Sequence, residues 1–484
     1  MPINNFLLPG AKVTPAYEVA NSCRFNDGDS PHLHKTNSGA GNRDTFTFST
    51  WVKRGTLGTE QRIFSSANTS GTNAYGALQF HPTYDDLIMF HYDGSSNYSY
   101  HITNRQFKDP SAWYHICIAV DTTQSTASNR VKIYINGSQE TSFRTETTPN
   151  QNTDMQWNTA EKHWVGAGDD DSGGQSRFFD GYLAETVFID GLQLAPTSFG
   201  EFDEDTPSVF KPIDVSGLTF GTNGFYLDYE DSGTLGNDAN GGTDFTSSGL
   251  AATDQASDSP TNNFCTWNGV DYNGDTVLAE GNTEGFASSA DDYHQGARGS
   301  IAVSSGKWYW EVKVVEVGDT SNIVIAGIMS ADHSFRKDEE DELLVGTYGM
   351  RSSDGKSVIS SGSALAYATW GAAFVDGDIL NFALDMDNNR LCIGKGGSWA
   401  DGSGNIDEAS INAYLSLSTT PSAYMPMVIG YSTGAAIKYQ ANFGNAPYSI
   451  SSGNADANGY GNFEYAVPSG YYALNTKNLA EYGG

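Results

Sequence analysis

The sequence predicts an all-β chain built as two β-sandwich domains joined by a loop-rich linker, and three observations carry that prediction. Apolar residues alternate with polar ones over short runs, the period of a half-buried strand. Turn-forming residues punctuate those runs: the 484 residues include 54 Gly, while charged residues make up only 17%. Tyr and Phe, which favour pleated surfaces, number 26 and 25, and helical periodicity is confined to short pieces such as Ala195–Phe202.

In chain order, residues 1–20 read as an extended arm, interrupted by Pro2, Pro9, Gly10 and Pro15. DTFTFSTWVKRG, residues 44–55, sets Phe46 and Phe48 against Thr47 and Ser49, a strand with one apolar face. WYHICIAVD, residues 113–121, is nearly continuous apolar, as a strand covered on both faces would be. RVKIYINGSQE, residues 130–140, alternates and then reaches Asn136-Gly137, the pair preferred in a type I′ hairpin. FFDGYLAETVFIDGLQL closes the first domain, assigned to residues 21–205.

Residues 206–264 are rich in Gly, Asp, Ser and Thr and read as a linker with little structure of its own. Strands resume in a second domain at 265–450. GKWYWEVKVVEV, residues 306–317, places Trp308, Trp310, Val312 and Val314 on one face and Lys307, Tyr309, Glu311 and Lys313 on the other. The tryptophans then point into the sandwich, and Tyr309 stays free to touch a partner. Residues 451–484 read as a C-terminal extension of Gly, Asn and Tyr. Cys23, Cys117, Cys265 and Cys392 form no C-x-x-C pattern and are expected as reduced, packed thiols, with a disulfide between distant strands left open.

FTFSTWVKRG, AWYHICIAVD, VKIYINGSQ and GYLAETVFIDGLQLAPTSFGE, taken in that order, resemble the laminin G-like, concanavalin A-like jelly roll. GKWYWEVKV, GDILNFALDMDNNRLCI and ANFGNAP resemble the SPRY sandwich. FYLDYEDSGTLGNDANGG and TDQASDSPTNNF are similar to segments of marine tailed-phage proteins that pair these two folds. The resemblance implies a virion protein whose partners are other tail or capsid proteins and a host-surface glycan. A homotrimer is the expected assembly, since tail appendages are often trimeric.

Candidate sites follow from residue chemistry. In YDDLIMFHYDGSSNYSYHI, residues 84–102, Tyr92, Tyr98 and Tyr100 surround a turn carrying Asp93 and Asn97. Exposed rings stack on sugar C–H faces, and Asp and Asn bind hydroxyls, so these five are the candidate carbohydrate-binding residues, with sheet packing as the competing role. Asp169, Asp170 and Asp171 on one loop are the candidate ligands for Ca²⁺. LDMDNNRL lacks the Gly and the distal Glu of a calcium loop and reads as a hairpin turn. His32 and His34 share a strand face without a completing ligand at a familiar spacing.

Catalysis finds no motif: there is no H-E-x-x-H and no G-x-S-x-G, and in a regular strand Glu185 and Asp190 face opposite ways. The formal charge of −32, from 58 acidic and 26 basic residues, repels phosphate backbones and argues against nucleic acid. No apolar run approaches the ~20 residues of a membrane span, and MPINNFLLPGAKV lacks a signal-peptide pattern. Together with the resemblance to tailed-phage proteins, this implies a chain made in a host cytoplasm that works in a virion, expected as a non-enzymatic tail fibre or adhesin. A capsid decoration or head-fibre protein, or a glycan-degrading enzyme, is the alternative.

Overall fold

The computed structural model describes residues 17–67, 74–96, 98–169, 175–272, 276–287, 295–317, 323–332, 346–360, 365–419, 423–431 and 436–483. Among the described residues, the first domain is two eight-stranded sheets face to face. One sheet centres on Thr45–Arg54, between Trp113–Asp121 and Gly181–Asp190. The other runs Phe143–Thr147, Tyr98–Gln106, Asp86–Tyr92, Tyr75–Phe80, Gln61–Ala67, Lys162–Val165, His32–Thr36 and Thr246–Ser248. Phe46 and Phe48 point inward as the alternation requires: Phe48 stacks on Phe64 of the facing sheet at 4.8 Å and Phe46 on Trp157 at 5.7 Å. The Asn136-Gly137 turn has φ of 48° and 76°, both left-handed, which is why this pair closes the hairpin.

Residues 206–264 are loop-rich, but they are not the structureless connection expected from their composition. Phe225–Leu227 pairs with Gly181–Asp190, Thr246–Ser248 with His32–Thr36, and Gln255–Ala256 with Ser22–Phe25. Val215, Phe220 and Tyr226 bury the outer side of Val187 and Ile189, and Phe210 buries that of Trp51 and Ala184. Thr45–Arg54 is thereby covered on both faces. The correction has a physical cause: aromatics scattered through a polar segment dock on an apolar outer sheet face that would otherwise meet water. Residues 1–16 of the expected arm lie outside the described residues. Val19 is buried, and its N–H donates to Thr261 Oγ1 at 3.1 Å.

Among the described residues, the second domain has a seven-stranded and a ten-stranded sheet facing each other. Trp308, Trp310, Val312 and Val314 enter the core between them, with Trp310 stacked on Phe382 at 5.1 Å and an interplanar angle of 4°. The opposite face of this strand corrects the sequence expectation. Tyr309 is 0% exposed, because residues 451–483 fold back over it and form a second small core with Phe463, Tyr471 and Trp399. Glu311 holds this cover in place. Its carboxylate accepts from the backbone N–H groups of Glu464 and Tyr465 at 3.0 and 2.8 Å, from Tyr309 Oη at 2.9 Å and from Asn442 Nδ2 at 3.1 Å. Tyr472–Ala473 adds a parallel pairing to Trp308 and Tyr309, and a short helix, Thr476–Tyr482, is capped by Asn475.

Among the described residues, the buried cations Arg24 and Lys53 of the first domain hold the segment that leads into the second, and Arg24 also reaches the second sandwich itself. Arg24, 0% exposed, lies 3.0 Å from Glu280 and 3.3 Å from Asp254, and donates to Thr253 O at 2.9 Å and Ala446 O at 3.3 Å. Lys53 reaches Asp258 at 2.6 Å and Asn263 Oδ1 at 2.7 Å. Tyr182 Oη donates to Gly281 O at 3.0 Å. All four cysteines are free and buried.

Gly181–Asp190 carries a bulge between Ala184 and Val187, where Glu185 sits at φ 48°. There Tyr226 Oη and Tyr17 Oη donate to Glu185 Oε2 at 2.8 and 3.0 Å. Burial pushes the Glu185 carboxyl up to about 7. Asp190, beyond the bulge, accepts from Asn42 N at 2.7 Å and Asn158 Nδ2 at 2.6 Å. Both carboxylates are thus engaged by the chain's own groups.

Two tests follow. Arg24→Met leaves Glu280 and Asp254 without their buried counter-charge; the expected cost is about 3–5 kcal/mol. Calorimetry should show a lowered first transition, and an unchanged thermogram would refute the joint. Glu185 has a folded pKa above its unfolded one, so its contribution is complete below pH ~4.5 and lost as pH rises to about 7. Glu185→Gln keeps an acceptor for the two tyrosines and should flatten the fall of stability across that window, by up to about 3 kcal/mol. Urea unfolding curves that stay parallel for parent and variant would contradict this.

Candidate functional site

The outer face of the second sheet of the first domain carries a connected set of aromatic rings. Strand alternation sends Leu87 and Met89 into the core and leaves Phe90 and Tyr92 outside. Cross-strand register then places Tyr100 opposite Phe90, Tyr98 opposite Tyr92, and Tyr92 opposite Tyr75. The rings touch in series: Tyr75 to Phe90 at 4.6 Å, Phe90 to Tyr100 at 4.3 Å, Tyr100 to Tyr98 at 5.8 Å. Tyr75 also meets Tyr92 at 6.4 Å, and the Arg62 guanidinium lies 5.3 Å over the Tyr75 ring. Phe90 is 5% exposed and acts as the support, whereas Tyr98 is 53% exposed and offers a free face.

Three of the five residues singled out from the sequence therefore lie together: Tyr92, Tyr98 and Tyr100 share one surface. Asp93 has another use. Its Oδ1 accepts from Ser95 N at 2.8 Å and Ser95 Oγ at 2.9 Å, which closes the turn between the strands. Asn97 lies outside the described residues. Tyr75, Phe90 and Arg62 escaped the sequence reading, because their membership depends on which strands pair and in what register.

Behind Tyr98 a cavity of about 200 Å³ is lined by His91, Ser96, Thr147 and Asn150 among others. His91 is buried, and burial pushes its ring down to about 4, so it is neutral at pH 7. Its Nδ1 accepts from Gln156 N at 2.9 Å, which assigns the ring proton to Nε2. Among the described residues that Nε2 has no partner. His91 shares the inward parity of Leu87 and Met89 and its Nε2 is buried, so it belongs to the inner side of the sheet, while the stacking surface itself is the outward ladder of Tyr92, Tyr98 and Tyr100.

The metal candidates are less assembled. Asp169 pairs in the short hairpin Gly168–Asp169 with Gln175–Ser176, and its backbone carbonyl accepts from Arg177 at 2.8 Å. Asp170 and Asp171 lie outside the described residues. His32 and His34 do share a face, with ring centroids 5.4 Å apart, and burial lowers the pKa of both. Among the described residues no group of three His, Cys, Asp or Glu side chains converges on one point.

Comparison with known proteins agrees with the first domain's architecture. The family model of the concanavalin A-like lectin/glucanases superfamily, laminin G type, matches residues 27–192. No curated protein sequence matches the chain. Among solved structures, the SPRY domain of human HERC1 is 15% identical, covers 36% of this chain and 96% of its own, and has a TM-score of 0.28. The heptameric SAP-like pentraxin of Limulus polyphemus is 18% identical over 37% of this chain and 80% of its own, with a TM-score of 0.29. Domains LG4-5 of mouse laminin alpha1 are 12% identical over 97% of this chain and 100% of theirs, with a TM-score of 0.30. Residues 27–192 are therefore a laminin G-like, concanavalin A-like domain, set in an all-β chain.

Proposed function

We propose that this protein is a non-enzymatic attachment protein of a tailed-phage particle, a tail fibre or adhesin that takes a host-surface glycan on the first domain. The observation that carries the glycan reading is the exposed ladder of rings ending at Tyr98. A sugar laid on Tyr98 would place its C–H face on the ring and its hydroxyls toward the cavity lined by Ser96, Thr147 and Asn150. The open sheet face favours repeated weak contacts over deep enclosure. In a particle carrying several copies, such contacts add through effective concentration rather than through affinity per site. The particle assignment rests on the linking segments similar to those of marine-phage proteins, and it makes other virion proteins the second class of partner.

Tyr98→Ala removes an exposed ring without opening a core. Its affinity for purified host envelope polysaccharide, measured by calorimetry, should fall about tenfold, with an unchanged melting temperature. Equal binding by Tyr98→Ala and the parent would sink the glycan site. Immunogold labelling should mark the tail tip of intact particles; label on the capsid shell, or none, would refute the attachment role.

A further inference from the structure

The second domain contains a cleft of about 770 Å³, within the ~300–1,000 Å³ range of small-ligand sites. It exists because the C-terminal segment folds back. Its lining takes Asp385 and Arg390, paired at the hairpin end of the strands Ile379–Asp385 and Arg390–Lys395, with the turn at Gly396 and Gly397. One wall is the loop at 409–414, and the other is the returning segment at 465–471. Beneath it Trp399, Tyr309 and Phe463 pack as a fixed apolar base. Gly397, at φ 81°, keeps the wall close, since a Cβ there would lie 2.7 Å from the Tyr465 ring.

The cleft's charges are unequally matched. Lys307 Nζ lies 3.4 Å from Asp385 Oδ2, and Asn388 Nδ2 donates to the same oxygen at 2.8 Å. Asp387, in the same turn, accepts from Gly306 N at 2.8 Å. Arg390 is exposed, and among the described residues its side chain has no ion pair and no hydrogen bond; its guanidinium lies 4.9 Å over the Tyr414 ring. Although the net charge of −32 repels anions at long range, a guanidinium left without an ion pair at the rim of this cleft is a short-range place where an anion can be held. A guanidinium backed by a ring keeps its fork of donors aimed outward, a geometry suited to a carboxylate or sulfate. The remaining lining is tyrosine faces and the hydroxyls of Ser398, Ser410 and Ser469, which suit a polyhydroxylated ring better than an aliphatic chain.

We infer that this cleft is a second saccharide site, selective for a sugar residue carrying an anionic substituent, with Arg390 binding the anion and Tyr414 and Tyr471 flanking the ring. It stands on different residues from the first-domain ladder and does not rest on that reading.

The test is calorimetry on the full-length protein with three hexasaccharide probes: an oligogalacturonate, a sulfated galactan and neutral maltohexaose. At least one anionic probe should bind, with affinity falling as salt rises, and the neutral one should not. The two anionic arms separate carboxylate from sulfate as the group recognised. Arg390→Ala, at an exposed position, should weaken that binding at least tenfold, while Val375→Ala, exposed and outside both sites, leaves it unchanged. The inference fails if neither anionic probe binds, if maltohexaose binds as tightly, or if Arg390→Ala matches the parent. A hexaglutamate peptide that competes at equal concentration would overturn the sugar class.

Discussion

The buried guanidinium of Arg24 is the constraint on which the arrangement of the chain depends. A charge with no exposure is stable only if carboxylates and carbonyls surround it. Arg24 finds them in three separate stretches: Asp254 with Thr253, Glu280, and the carbonyl of Ala446. The first belongs to the segment between the sandwiches and the other two to the second sandwich. One side chain in the first domain therefore fixes where the connection ends and where its neighbour begins. Lys53 repeats the device with Asp258, whose other oxygen accepts from Trp113 Nε1 at 2.9 Å. Removing Lys53 would leave the fully buried Asp258 carboxylate unmatched, and removing Arg24 the half-buried Asp254 and Glu280.

The strands and their inner faces were legible from the sequence because alternation is a local property. Phe46, Phe48, Trp308 and Trp310 lie where their parity puts them. The covers were not legible. Residues 451–484 read only as a C-terminal extension of Gly, Asn and Tyr, yet the backbone N–H groups of Glu464 and Tyr465 are donors that Glu311 accepts, from about 150 positions away. A buried Glu in the middle of a strand was the one sign of this, and its parity pointed it outward. Tyr309 was misplaced for the same reason, since alternation says which face a residue takes but not whether that face is covered. In the 206–264 segment the sign was its aromatics, Phe220, Phe225, Tyr226 and Phe245, which a solvated connection has no use for.

The candidate site shows the same division between local and long-range information. Tyr98 and Tyr100 share a face by spacing alone, and Tyr92 joins them through the hairpin that the turn signals. Phe90, Tyr75 and Arg62 come from pairing across strands, where a shift of one residue would have sent each ring to the core. Asp93 shows that a residue type suited to hydroxyl binding is also suited to closing a turn. Only the hydrogen bonds from Ser95 decide between the two uses.

Which surfaces remain for partners is thus set by what the chain does with its own returns. The outer face of the Thr45–Arg54 sheet is closed by 206–264, and much of the outer face of the Lys307–Glu316 sheet is closed by 451–483. Each return buries aromatics that would otherwise be the largest exposed apolar patches. The first return closes its face over a continuous apolar cluster. The second stops short of the hairpin at Asp385–Arg390, and the gap it leaves is the cleft. The ladder at Tyr98 survives for the opposite reason: no return crosses that part of its sheet among the described residues, so its rings support one another and the last keeps a free face. A fold that hides most of its aromatics in this way leaves recognition to the few rings at the edges of its covers.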